Sequence, residues 1–198
     1  MTVGLLRSSL NQYIPLLRQL QTTVDLLSDP HQVSIDPYFH FLVVEAKGMA
    51  TITSAENQAA VDGACAINVL RQLQHLVGRY LELFPNSDTP PTPPLFIFSI
   101  TTECAHQDLW VHYYSNNAFH MTIKCWFLEL SLRTDAAEFV YALARILAWS
   151  TGGYCKDISI RIYKGIFYLQ GCLLRSLFKT KIHTSWIVYL LIVCIGAY

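Results

Sequence analysis

The stretch Phe39–Ala46 limits the fold more than any other part of the chain. It is a nearly continuous apolar run of strand length, and a strand without polar alternation is one covered on both faces. Such a strand needs layers packed above and below it, so the run predicts a central strand of an α/β domain. Glu45 and Lys47 stand at its end. Side chains alternate along a strand, so these two share one face. Unpaired charge at the end of an apolar strand is costly. The two groups therefore pair with each other, bind something, or emerge at the sheet edge.

The surrounding segments supply the layers. Leu10, Ile14, Leu17, Val24 and Leu27 recur at helical spacing and predict a helix over 11–27, stopped by Ser28-Asp29-Pro30. Thr53 and Glu56 have the form of a capping box. Ala59, Gly63, Ala66, Leu70, Leu73, Val77, Tyr80 and Phe84 then follow at steps of four and three, predicting a long amphipathic helix over 54–83. Pro85–Pro94 reads as a loop. The segments 95–101, 108–114 and 119–128 are rich in aromatic and β-branched residues and predict an antiparallel meander, with a turn at Ser115-Asn116-Asn117. Thr134 and Asp135 open a further helix, and Gly152-Gly153 is expected to end it. The order helix, strand, helix, strands, helix is a mixed α+β pattern.

Composition excludes some functions. There are 14 basic and 14 acidic residues and a net charge of +0, so no global field attracts nucleic acid or an anionic membrane, and any polyanion site must be a local patch. The six cysteines are scattered singly and read as reduced core thiols. No signal-peptide pattern opens the chain, which points to an intracellular, cytoplasmic or nuclear location. Beyond Ile158 acidic residues vanish, and Trp186–Tyr198 is wholly apolar. It is shorter than the roughly 17–25 residues of a spanning helix, although Trp186 and the basic residues before it resemble a membrane-interface flank. A domain over 1–158 and a basic, apolar tail over 159–198 are therefore expected, with membrane contact through 186–198 as a minor alternative.

The run Phe41-Leu42-Val43-Val44-Glu45-Ala46-Lys47-Gly48, followed by Ala55-Glu56-Asn57-Gln58 opening a long helix, resembles the PD-(D/E)xK nuclease-like domain of fungal proteins of unknown function. The resemblance continues through Leu95-Phe96-Ile97-Phe98-Ser99, Leu109-Trp110-Val111-His112-Tyr113-Tyr114 and a helix ending in Ala148-Trp149. It implies a restriction-endonuclease-like core, a central mixed sheet flanked by helices, and Mg²⁺-assisted hydrolysis of phosphodiesters in DNA or RNA. Under it Glu45 is a metal ligand, Lys47 is the catalytic lysine, the Ala46 carbonyl completes the metal site, and Gln58 is an auxiliary polar residue. Gln58 reads equally well as a solvated residue of a first helical turn.

In that fungal group the first acidic residue lies in a Pro-Asp pair just upstream of a segment resembling Thr2-Val3-Gly4-Leu5. The given sequence begins at Met1, so the resemblance implies a truncated or degenerate copy without activity as this chain. Asp36, in Asp36-Pro37, is the nearby substitute. The alternatives are an active Mg²⁺-dependent nuclease and a membrane-tethered protein. His106, His112 and His120 lack zinc-ligand spacing and are expected to be exposed strand residues. No G-x-S-x-G elbow or Gly-rich phosphate loop is present, so a small-molecule cofactor is not expected. Oligomeric state leaves no trace in the pattern.

Overall fold

A computed structural model describes residues 2–6, 10–11, 13–15, 17–18, 37–47, 52–83, 94–103, 106–125 and 133–179. Its elements in chain order are β1 (Thr2–Leu6), β2 (Pro37–Ala46), α1 (Ile52–Leu83), β3 (Phe96–Glu103), β4 (His106–Ser115), β5 (Ala118–Cys125), α2 (Arg133–Trp149), a π-helical turn (Ser150–Tyr154) and α3 (Cys155–Lys179). The class is α/β of the mixed α+β kind. One five-stranded mixed sheet runs in the order β1-β2-β3-β4-β5, flanked by helices. The apolar run is indeed an inner strand, paired antiparallel to β1 and parallel to β3. The meander β3-β4-β5 is antiparallel throughout.

Parallel neighbours need a long crossover, and α1 provides it. Ala55, Ala59, Gly63 and Ala66 are all buried on α1. Small residues on that face let the helix axis come close to the sheet. At Gly63 the approach is so near that a Cβ would overlap the His112 ring on β4. Further along, Ile67, Leu70, Leu73 and Leu76 widen the contact and meet α3 through Ile158, Ile162 and Ile166. Of the helix expected over 11–27, Ile14, Pro15, Leu17 and Arg18 are helical. Leu10, Ile14 and Leu17 point into the core at helical spacing. Asn11 and Tyr13 lie in 3₁₀ backbone just before Ile14, and residues 12, 16 and 19–27 and the expected stop at 28–30 lie outside the described residues.

Two features depart from sequence expectation. Gly152-Gly153 does not end a helix. The backbone widens there into a π turn, with the Cys155 N–H donating to Ser150 O, and continues directly as α3. Ser150 and Thr151 hydroxyls donate to Leu147 O at 2.8 and 3.1 Å, taking up a carbonyl at the widened turn. Ile158 lies one turn inside α3, where Ile158, Arg161, Ile162 and Ile166 are buried. Residues 180–198 lie outside the described residues.

The second feature is at Phe39, which has a φ of 48°. Between Val3 and Leu5 the β1–β2 register shifts, so β2 carries extra residues opposite Gly4. A left-handed aromatic residue is strained, and here it is fixed from across the molecule. The Tyr154 hydroxyl, on the π turn, donates to Phe39 O at 3.1 Å. Tyr154 also joins Phe41, Phe96, Phe98 and Trp149 in a cluster of ring contacts, with Phe96 and Trp149 stacked at 4.9 Å. Burial and the adjacent Asp157 hold the Tyr154 phenol well above its ordinary range, so it remains a donor.

Candidate functional site at the carboxyl ends of the parallel strands

The sheet register gathers residues that are far apart in sequence. Glu45 on β2 pairs with Thr101 on β3, and Thr101 pairs with Asp108 on β4. Directly paired residues project to one face, so Glu45, Thr101 and Asp108 form a row across three strands. Beyond Ala46, the Lys47 N–H donates to Thr102 O at 3.1 Å, which extends the parallel pairing and brings Lys47 level with Glu103. Glu103 pairs with His106. A second row, Lys47, Glu103 and His106, thus lies one step nearer the carboxyl ends of β2 and β3. Charged groups from positions 45 to 108 meet on a patch that no local pattern reveals.

This face is the one α1 covers, because His112, which shares the alternation of Asp108, touches Gly63. The N-terminus of α1 is held at the same corner: the Ile52 N–H donates to Glu103 Oε2 at 3.0 Å. A carboxylate there satisfies an orphan helix donor and complements the positive end of the helix dipole. Glu45 and Lys47 are half-buried and Ala46 is exposed, so the edge opens to solvent. Open α/β sheets characteristically bind ligands at the carboxyl ends of their parallel strands.

Asp108 is the least satisfied member. It is 3% exposed, and its Oδ1 has no hydrogen-bond partner. His106 Nε2 stands 3.6 Å from that oxygen, within ion-pair range and beyond a hydrogen bond. Burial pushes the Asp108 carboxyl pKa up, and the nearby His106 draws it partly back. Thr101, between Asp108 and Glu45, accepts the Trp110 indole N–H at 3.0 Å.

The expected site residues are placed unevenly. Glu45 and Lys47 share the patch. Ala46 sits between the ladder bonds to β3, so its carbonyl points away from β3 and from Asp108. Gln58 is exposed, and its amide donates to Asp62 Oδ1 at 3.2 Å, four residues on along the helix. Asp36 lies outside the described residues. Glu103, His106 and Asp108 were not singled out as a group by sequence. Their signal was the polar residues at 101, 103, 106 and 108, at the end of β3 and the start of β4, which become legible only once the strand pairing is known.

Two expectations about other residues need correction. His112 is not an exposed strand residue but 3% exposed, with its Nε2 2.7 Å from Ser99 Oγ. Burial lowers its pKa to about 4. Dense packing under α1 at Gly63 accounts for the difference, and the period-two pattern of β4 did not predict which face carried the helix. Cys65 is exposed on α1, so this thiol is not a core residue, whereas Cys155 is half-buried and packs against the core. Among the described residues no helix is long and apolar enough to cross a membrane.

The fold and its charged strand edge define an α/β domain with a solvent-open corner built from β2, β3 and β4. The chain belongs to the family described as Domain of unknown function (DUF7924), which it matches over residues 2–158. No curated protein and no solved structure matches it.

Proposed function

We propose that the domain is nuclease-like, of the PD-(D/E)xK kind, and acts on phosphodiesters of DNA or RNA through Glu45 and Lys47. The observation that carries this reading is their shared position at the open carboxyl end of β2, beside the parallel strand β3 and the anchored N-terminus of α1. The donors fit a hard divalent cation: Glu45 is a half-buried carboxylate, and in the same row Asp108 offers a buried oxygen with no hydrogen bond. Bound Mg²⁺ in such a site stabilises charge on the phosphate oxygens. Glu45 would hold it by carboxylate oxygen. The Lys47 ammonium donates to, and so orients, a water beside the scissile phosphate.

A second reading, the same fold without activity as this chain, draws on the engagement of two neighbours. Glu103 caps α1, and Gln58 bonds to Asp62. Both are thereby committed to structure rather than to a catalytic set.

The test is cleavage of labelled single- and double-stranded DNA and RNA by the full chain in Mg²⁺ and in Mn²⁺. The active reading expects metal-dependent cleavage that Lys47→Ala abolishes without a change in melting temperature. Cleavage unchanged in Lys47→Ala contradicts the assignment of that lysine. Absence of cleavage by the unaltered chain favours the second reading.

A further inference from the structure

We infer that the outer face of α2 pairs antiparallel with the same face of a second copy of this chain. Helix α2 is apolar nearly all round: between Ala136 and Trp149 the charged residues are Glu138 and Arg145 alone. Phe139, Ala142, Leu143 and Ile146 point to one side and pack against the core. Ala137, Val140, Tyr141, Ala144, Leu147 and Ala148 recur at steps of three and four on the other side. All six are exposed, Val140 by 65%, Tyr141 by 67% and Leu147 by 44%. A helix on the surface of a domain ordinarily presents polar residues outward. An outward apolar stripe along three turns is instead the pattern of a face covered by another helix.

The order of side-chain sizes selects the occupant. Along the stripe small and large alternate: Ala137, then Val140 with Tyr141, then Ala144, then Leu147. An identical stripe run in reverse reads large where this one reads small. In the antiparallel pair Leu147 of each copy meets Ala137 of the other, and Val140 and Tyr141 meet Ala144. Every layer then joins a bulky side chain to a methyl group, and the two helices approach closely and evenly. A parallel pair sets alanine against alanine and tyrosine against tyrosine, which leaves gaps in some layers and crowding in others.

Charge selects the same arrangement. Glu138 and Arg145 lie two turns apart on one flank of the stripe, both exposed, and among the described residues neither takes part in an ion pair. Arg145 instead leans toward the Tyr141 ring, 5.9 Å from its centre. A two-fold antiparallel pairing brings each Glu138 opposite Arg145 of the other copy, whereas a parallel one opposes like charges. One acid and one base also distinguish this face from a membrane-surface helix, whose polar side is rich in lysine and arginine. A three-turn helix pair falls at the low end of specific interfaces, under about 1,200 Å² in total, so the association depends on concentration. None of these residues lies at the charged corner, and the pairing does not depend on catalysis there.

The experiment is sedimentation equilibrium of the full chain over a range of concentrations, for the unaltered protein, Tyr141→Glu, Glu138→Arg, Arg145→Glu and the double variant Glu138→Arg with Arg145→Glu. Melting temperatures at low concentration show that each variant folds. The expected result is a monomer–dimer equilibrium that Tyr141→Glu weakens at least about tenfold, by placing an unpaired charge in the covered face. Each single charge reversal should weaken it about fivefold or more, and the double variant should restore it to within about twofold, because both ion pairs re-form with their signs exchanged. A dimer that Tyr141→Glu leaves unchanged overturns the inference, as does a double variant no stronger than the single ones. A monomer at every concentration up to about 1 mM also overturns it, and a lower melting temperature of Tyr141→Glu would then assign the cover of this face to residues 180–198 of the same chain.

Discussion

Two polar regions lie on the same face of the sheet beneath α1, and they are built on opposite terms. Near the start of β3, Ser99 and His112 are sealed and bonded to each other, with Gly63 pressed onto the imidazole. Near its end, Glu45, Lys47, Glu103, His106 and Asp108 form a charged corner that opens to solvent and leaves the Asp108 Oδ1 without a hydrogen bond. The sealed pair resembles a triad fragment in composition and has no access for a substrate. The open corner has access and leaves one Asp108 oxygen without a hydrogen bond. Burial alone therefore does not distinguish the two regions. What separates them is whether the buried polar atoms have found partners within the fold.

The comparison breaks most readily at the sealed pair. Gly63→Leu forces a branched side chain into the space of the His112 ring and is expected to abolish folding, as circular dichroism would show. Gly63→Ala, with a smaller overlap, is expected to cost about 1–3 kcal/mol in denaturant unfolding, reduced by the better helix propensity of alanine. Little or no loss in either variant would show that α1 and β4 are less closely packed than described.

The pH dependence of stability is the next largest effect. Burial lowers the His112 pKa to about 4, against about 6.5 in the unfolded chain. The unfolded state therefore takes up the proton first. The contribution of neutral His112 is fully present above about pH 6.5 and is lost progressively as the pH falls toward and through about 4, amounting to about 3 kcal/mol. Asp108 acts in the opposite sense: its raised pKa makes its carboxyl less unfavourable as the pH falls. A plot of melting temperature against pH should fall on the acid side for the unaltered protein and flatten in His112→Gln. An identical slope in both would assign the acid sensitivity to other groups.

Tyr154→Phe probes the strained end of the apolar run. It removes the donor to the Phe39 carbonyl, 115 residues away in sequence, and is expected to cost about 1–3 kcal/mol. Unchanged stability would mean that the register shift in β2 holds Phe39 without help. The smallest expected effect is at the open corner: Lys47→Ala, at a half-buried edge position, should change stability by about 0.5 kcal/mol or less. A larger loss would make Lys47 a structural residue.

How much of this was legible in the sequence depended on the range of the interactions. Phe39–Ala46 declared an inner strand because its burial is written in consecutive residues. The long helix, the meander and the helix ending at Trp149 were readable for the same reason. Glu45 and Lys47 were visible as two residues on one strand face. Their neighbours were not, since Thr101 and Asp108 join Glu45 only through parallel and antiparallel registers that no local period encodes. The continuation of α2 through Gly152-Gly153 was also hidden, because two glycines normally signal a helix end, and what carries the chain onward is a π turn anchored by the Tyr154 side chain. The left-handed Phe39 is a property of the β1–β2 register rather than of any residue type.

The claim that the open corner is the functional part of this face is tested most directly by one assay. Metal-dependent cleavage and binding of labelled DNA and RNA should be measured side by side for the unaltered full chain, Glu45→Gln, Lys47→Ala and Ser99→Ala. The expected result is that Glu45→Gln and Lys47→Ala lose cleavage or weaken nucleic-acid binding while keeping their melting temperatures, and that Ser99→Ala affects function only in proportion to lost stability. If Ser99→Ala removed activity from a folded protein while the two edge variants retained it, the roles assigned to the two regions would be reversed.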